Sequence, residues 1–260
     1  MSQIRFKQGA IDAAECIRDG WSQIKSRYWL FLGIIMVSIL LGVVPIVNFV
    51  IAGPIAVGIY FCLLKQLRGE SVSFGDMFKG FDNFVPAMTV GLVLSAPGII
   101  TLILDLMTGT GIAALNIFNQ GVSQANGPSP IMAGTLLLTT MLKYLLSFAS
   151  LVLSTLLYFA YPLIAEHNLD AATAMKTSLS AATSNLGGLV LLFILSGLVM
   201  LGGLLGFCIG IFFVMPIIMG ANVVAYRQVF PSSQRRWSTV DSNAPPPPTA
   251  FGSAYGRPTR

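Results

Sequence analysis

Glu166 and His167 stand side by side and have the look of a general acid beside a general base. Adjacent residues on a helix point about 100° apart. The pair also follows Pro162 at the end of an apolar run, so it reads as an interfacial turn rather than as catalytic machinery. His167 is the only histidine, which excludes metal sites built on paired histidines, HExxH among them. Cys16, Cys62 and Cys208 are scattered, without CxxC or Cys/His clustering, so neither a zinc site nor a disulfide framework is supported. They read as small apolar residues. No GxSxG, Walker or GxGxxG sequence occurs. We therefore assign no catalytic residue, no cofactor and no metal ligand, and expect a chain that is not an enzyme.

A coupled transporter would keep ionisable groups inside its spans, where each costs about 2.5 to 3.5 kcal/mol on insertion scales and persists only for use. None is expected near the bilayer midplane. Asp105 and Lys143 lie on apolar runs, and counting about 20 residues from the charged side places both at the opposite boundary. There they form a candidate structural ion pair across the third and fourth spans. Thr89, Ser95, Ser147, Ser196 and Asn222 supply the remaining midspan polarity and read as helix contacts.

These residues must be held by membrane helices. Of 260 residues, 55% are hydrophobic and 10% charged, and mean hydropathy is +0.78. A soluble domain carries about 25% charge. Several apolar runs approach or exceed the roughly 20 residues that cross a bilayer as helix, whereas a barrel would show ~10-residue alternating segments. The expected fold is an all-α integral membrane bundle of six transmembrane helices in three hairpins, at about 28–44 with 49–64, 85–104 with 144–163, and 186–201 with 205–226. Tight turns are expected at Pro45 to Asn48 and at Gly202–Gly203. No cleavable signal peptide is expected, because Asp12, Glu15 and Asp19 precede the first apolar run.

A short amphipathic helix on the cytoplasmic side is expected before each hairpin, at about 10–25, 73–83 and 169–182. Leu169, Ala172, Met175, Leu179, Ala182 and Leu186 recur three or four apart, and Ile11, Ala14, Ile17, Trp21, Ile24 and Tyr28 repeat the spacing at one constant offset. Asp12 and Asp170, each followed by two alanines, are placed to cap. In the middle unit Phe74, Met77, Phe78 and Phe81 form the expected face, but the register slips by one residue. A second repeat carries Pro54, Ile55, Gly58, Lys65 and Gln66 into Pro216, Ile217, Gly220, Arg227 and Gln228. The prolines, with Pro162, should kink or unwind their helices, and Gly206 with Gly210 has the spacing of close helix packing.

Every Lys and Arg except Lys143 falls on one side of this arrangement, which the positive-inside rule makes cytoplasmic, with both termini inside. The net charge of +5 then suits anionic lipid head groups, and no nucleic-acid partner is expected. The uncharged segment 108–130 reads as an outer loop with a short helix near 112–118. Residues 231–260, with four prolines at Pro245 to Pro248, read as a disordered cytoplasmic tail with a polyproline patch.

RYWLF at Arg27 to Phe31, GPIAVGIYFCLLKQLRGESVSFGDMFKGFDNF at Gly53 to Phe84, YPLIAEHNLDAATAMKTS at Tyr161 to Ser178 and FCIGIFFVMPIIMGANVVAYRQ ending at Gln228 carry a resemblance. Between Ala10 and Gln228 the chain resembles a broad group of bacterial six-span inner-membrane proteins of uncharacterised role. That group includes the membrane domain sometimes fused to glycerophosphodiester phosphodiesterases. The resemblance implies a multi-pass fold with interfacial helices; the fused catalytic domain has no counterpart here, so no activity carries over. The expected role is a non-enzymatic scaffold or accessory protein of the bacterial inner membrane. Its expected partners are membrane lipids, other membrane proteins or a second copy; the alternative is a transporter or channel for an uncharged or amphiphilic solute.

Overall fold

The fold was taken from a computed structural model, which describes residues 6–43, 45–109, 130–205 and 210–231, with the side chains of 45–47 and 130–133 excepted. The expected short helix near 112–118, Gly206, Cys208 and the proline-rich tail lie outside the described residues. Among those described there is helix and no strand. In order come α1 (Ala13–Ile24), a 3-10 turn (Lys25–Arg27), α2 (Tyr28–Leu41), α3 (Pro45–Leu67), a 3-10 segment (Phe74–Asn83), α4 (Phe84–Thr108), α5 (Pro130–Leu156), α6 (Ala160–His167), α7 (Ala171–Thr183), α8 (Leu186–Leu205) and α9 (Gly210–Val229). Among the described residues six stretches of helix are long and apolar enough to cross a membrane.

Local chemistry sets the starts. Asp12 accepts from the Glu15 amide at 3.0 Å, and Asp170 from the Thr173 amide at 3.0 Å, each occupying a first-turn donor that the helix leaves free. The middle unit winds differently. Phe74–Asn83 is a 3-10 helix, in which residues three apart eclipse, and this three-residue period is the physical origin of the slipped register. Phe78, Phe81 and Phe84 accordingly form a column of stacked rings 6.4 and 6.3 Å apart, while Met77 and Gly80 form the buried column.

The three short elements pack through only part of the expected faces: Ile24, Met77 and Ala182 are buried, while others of the expected residues stand outward. Ala13, Cys16, Gly20 and Ile24 are the buried residues of α1, while Trp21 is 44% exposed. On α7 the buried set is Ala174, Ser178, Ala181 and Ala182, with Leu179 exposed; Phe74 and Phe78 of the 3-10 segment are exposed as well. Small side chains let backbones touch, and that decides which face packs between membrane helices, where burial of bulk apolar surface gives little advantage over lipid.

The long helices also depart from expectation in extent. α5 begins at Pro130, well before Tyr144, and within it Thr139 Oγ1 donates to the Thr135 carbonyl at 2.8 Å. Lys143 is thereby in the body of a helix. The chain breaks at 157–159 and resumes as α6, with Pro162 in its first turn; proline lacks the amide that would continue the ladder. α8 runs through Gly202 and Gly203 to Leu205 instead of turning there.

The core gathers Ile24, Phe31, Leu63, Met77, Phe159, Leu163, Ile164, Leu189 and Tyr226, and so joins α1, α2, α3, the 3-10 segment, α6, α8 and α9 at the end of the bundle where the charges cluster.

Candidate functional site

At that charged end α1 and the 3-10 segment each pack on a long helix, and α7 packs at the break before α6. α1 lies antiparallel to α9: the Asp12 amide donates to Gln228 Oε1 at 2.9 Å, and further along Tyr28 Oη donates to the Phe213 carbonyl at 2.7 Å. Between them Gly20 meets Gly220, where a β-carbon on Gly20 would overlap the Ala221 nitrogen and one on Gly220 would stand 2.8 Å from the Gly20 carbonyl oxygen. The 3-10 segment meets α3 in the same way, since a β-carbon on Gly58 would overlap the Met77 carbonyl and one on Gly80 the Pro54 carbonyl. In the third unit a hydroxyl takes the place of the glycines. Ser178 Oγ of α7 donates to the Leu156 carbonyl at 3.0 Å and accepts from the Phe159 amide at 3.0 Å, which satisfies the backbone groups freed at the break before α6.

The repeated basic residue and glutamine hold these joints. Lys65 Nζ lies 2.8 Å from Asp76 Oδ2, with Lys79 Nζ 3.1 Å from Oδ1, and the Ser73 amide also donates to Asp76 at 2.9 Å. Arg227 Nη1 lies 2.6 Å from Glu166 Oε1, and Tyr226 Oη donates to Glu166 Oε2 at 2.6 Å. Gln66 Nε2 donates to the Gln23 carbonyl at 3.2 Å near the end of α1. At the helix start Gln228 receives the Asp12 amide and the Cys16 thiol and gives Nε2 to Glu15. The two glutamines therefore bracket α1.

The segment before α1 closes the ring. The Lys7 amide donates to the Val229 carbonyl at 2.9 Å, and Asn185 Oδ1 accepts the Ala10 amide while its Nδ2 donates to the Lys7 carbonyl. No family model, curated protein or solved structure matches this chain.

The site residues expected from the sequence fall as follows. Pro54 with Gly58, and Pro216 with Gly220, sit inside unbroken α3 and α9, at or beside the crossings of the 3-10 segment and α1. Gly210 meets the backbone of Gly203. Lys143 Nζ pairs with Asp105 Oδ1, both side chains about 30% exposed. His167 Nε2 is 3.8 Å from Glu166 Oε2, beyond hydrogen-bond distance, and both Glu166 oxygens are engaged by Tyr226 and Arg227. Among the described residues no group of three His, Cys, Asp or Glu could hold a metal ion.

The Tyr226–Glu166–Arg227 cluster and the Asn185 bracket were not anticipated. The repeat that pairs Lys65–Gln66 with Arg227–Gln228 was the available signal, because a basic residue and an amide recurring at a helix end need partners. On α7 the Thr173 hydroxyl and amide hold the Asp170 carboxyl below its ordinary range, so this cap stays charged near neutrality.

Proposed function

We propose that this chain is a non-enzymatic multi-pass protein of a bacterial inner membrane, a scaffold or accessory protein that engages lipids or membrane partners through its three short helical elements. The carrying observation is their two-sidedness. Each is fixed to the bundle by glycine, alanine or serine and turns outward the large side chains Trp21, Phe74, Phe78 and Leu179. Large apolar side chains held rigidly outward at the charged end need an apolar cover.

In this reading the helices form three hairpins, the charged end faces the cytoplasm, and the short elements ride at the head-group layer, where aromatic rings and basic side chains prefer to sit. Native mass spectrometry of the full chain, extracted in a mild detergent, tests it. Specifically retained phospholipid or a stoichiometric membrane partner is expected. A bare chain from every mild extraction would remove the reading.

A further inference from the structure

We infer that the outward face of α1 is a binding site for an anionic phospholipid head group; the inference rests on the lipid-engaging reading above and names the lipid class and the site. The face carries Arg18, Trp21 and Lys25, spaced three and four apart on α1 and its 3-10 extension, followed by Tyr28 and Trp29 at the start of α2; Arg18, Trp21, Lys25 and Trp29 are exposed. The opposite side, Ala13, Cys16, Gly20 and Ile24, is buried against α9. The orientation is thus fixed by backbone contact and by the two bracketing glutamines.

Three rings make a continuous shelf, with centroids 5.9 Å apart for Trp21 and Tyr28 and 5.6 Å for Tyr28 and Trp29. Tyr28 is held by its hydrogen bond to the Phe213 carbonyl, while Trp29 is 74% exposed. Such a shelf suits the glycerol and upper acyl region of a lipid. Lys25 lies one turn from both tryptophans, and Arg18 one turn before Trp21, so a cation flanks Trp21 on either side within a side chain's reach of an anion above that shelf.

The acids nearby are engaged elsewhere or only loosely paired with these cations. Glu15 is held by Gln228 and Asp12 caps the helix. Asp19 reaches Arg18 only at 3.4 Å, with the two side chains 42% and 77% exposed, a pair that exchanges readily with solvent or another anion. A net anionic head group is the occupant that this charge fits, and a zwitterionic one brings its own cation against Lys25.

The full chain reconstituted in nanodiscs of mixed phosphatidylcholine and phosphatidylglycerol, with retained lipids counted by native mass spectrometry, gives the preference directly. The wild-type chain should retain phosphatidylglycerol over phosphatidylcholine. Lys25→Gln should lower that preference up to about fivefold, and Arg18→Gln with Lys25→Gln further, because each cation supplies roughly one ionic interaction with the head group. The charge-conserving pair Arg18→Lys with Lys25→Arg should keep it, as should Lys176→Gln, which removes a charge from α7.

Equal preference in wild type and in the doubly neutralised, correctly folded variant would overturn the site, and so would an equal loss in Lys176→Gln. In both cases retained lipid would leave the broader reading standing. A wild-type chain that holds no lipid at all overturns the site, and the partner search described above then decides the broader reading separately.

Discussion

The charged end of the bundle and its α4–α5 arm are made from the same apolar residue types and are packed in opposite ways. In α3, 56% of the most apolar stretch is buried, and backbone meets backbone at Gly58 and Gly80; in the fourth span, α5 with α6, the corresponding figure is 6%. Leu137, Leu138, Met141, Tyr144, Leu145 and Phe148 of α5 stand exposed on several sides, and Leu106 and Met107 end α4 at 75% and 82% exposure. Each region has an ion pair, but Glu166 and Arg227 are 15% and 16% exposed whereas Asp105 and Lys143 are twice as open. The contrast separates two kinds of packing: mutual contact at one end, and apolar side chains turned outward along the arm.

The sharpest break of this comparison comes from the ion pairs. Glu166→Gln leaves the Arg227 guanidinium buried without its counter-charge and should destabilise by about 3 kcal/mol. Asp105→Asn should cost about 1 kcal/mol, read from unfolding in detergent. Within the arm, Asp105→Asn alone should destabilise more than the double change with Lys143→Gln; simple additivity of the two changes would contradict a coupled pair.

Next in size are the glycines. Gly58→Ala and Gly20→Ala should each lower stability by about 1–3 kcal/mol, because a β-carbon would enter the facing backbone. Gly98→Ala in α4 and Gly134→Ala in α5 meet nothing within 4 Å, and should be neutral or stabilising by up to about 1 kcal/mol from helix propensity. If all four changes cost the same, the two regions do not differ in packing.

The glutamine bracket is smaller. Gln228→Ala removes three hydrogen bonds to α1 and should cost about 1–2 kcal/mol, with faster amide exchange confined to the start of α1. Gln66→Ala should cost less, about 1 kcal/mol, and loosen the helix end near Gln23. Uniform exchange along α1 in both variants would dissolve the bracket.

Hydropathy made the helices legible, because a run such as Leu186 to Leu205 has no soluble alternative. The caps at Asp12 and Asp170 were legible too, since a short acid before an alanine pair has one inexpensive use. The packed faces were legible only in part. Periodicity selected Ile24, Met77 and Ala182, which are buried, together with Trp21 and Leu179, which are exposed, and it passed over Gly20 and Ala181, for which hydropathy carries almost no signal. The 3-10 winding of Phe74–Asn83 appeared only as a register slip, and Glu166 found Arg227 through a fold that no local spacing encodes.

The central claim is that α1, the 3-10 segment and α7 share one side of the membrane with the charged end. In a chain with Cys16, Cys62 and Cys208 replaced, single cysteines at the exposed positions Ser26, Phe78 and Lys176 can be challenged with a membrane-impermeant thiol reagent, from outside intact cells and then in inverted vesicles. All three should stay unlabelled in the first and react in the second. Labelling of any one from outside intact cells would contradict the account.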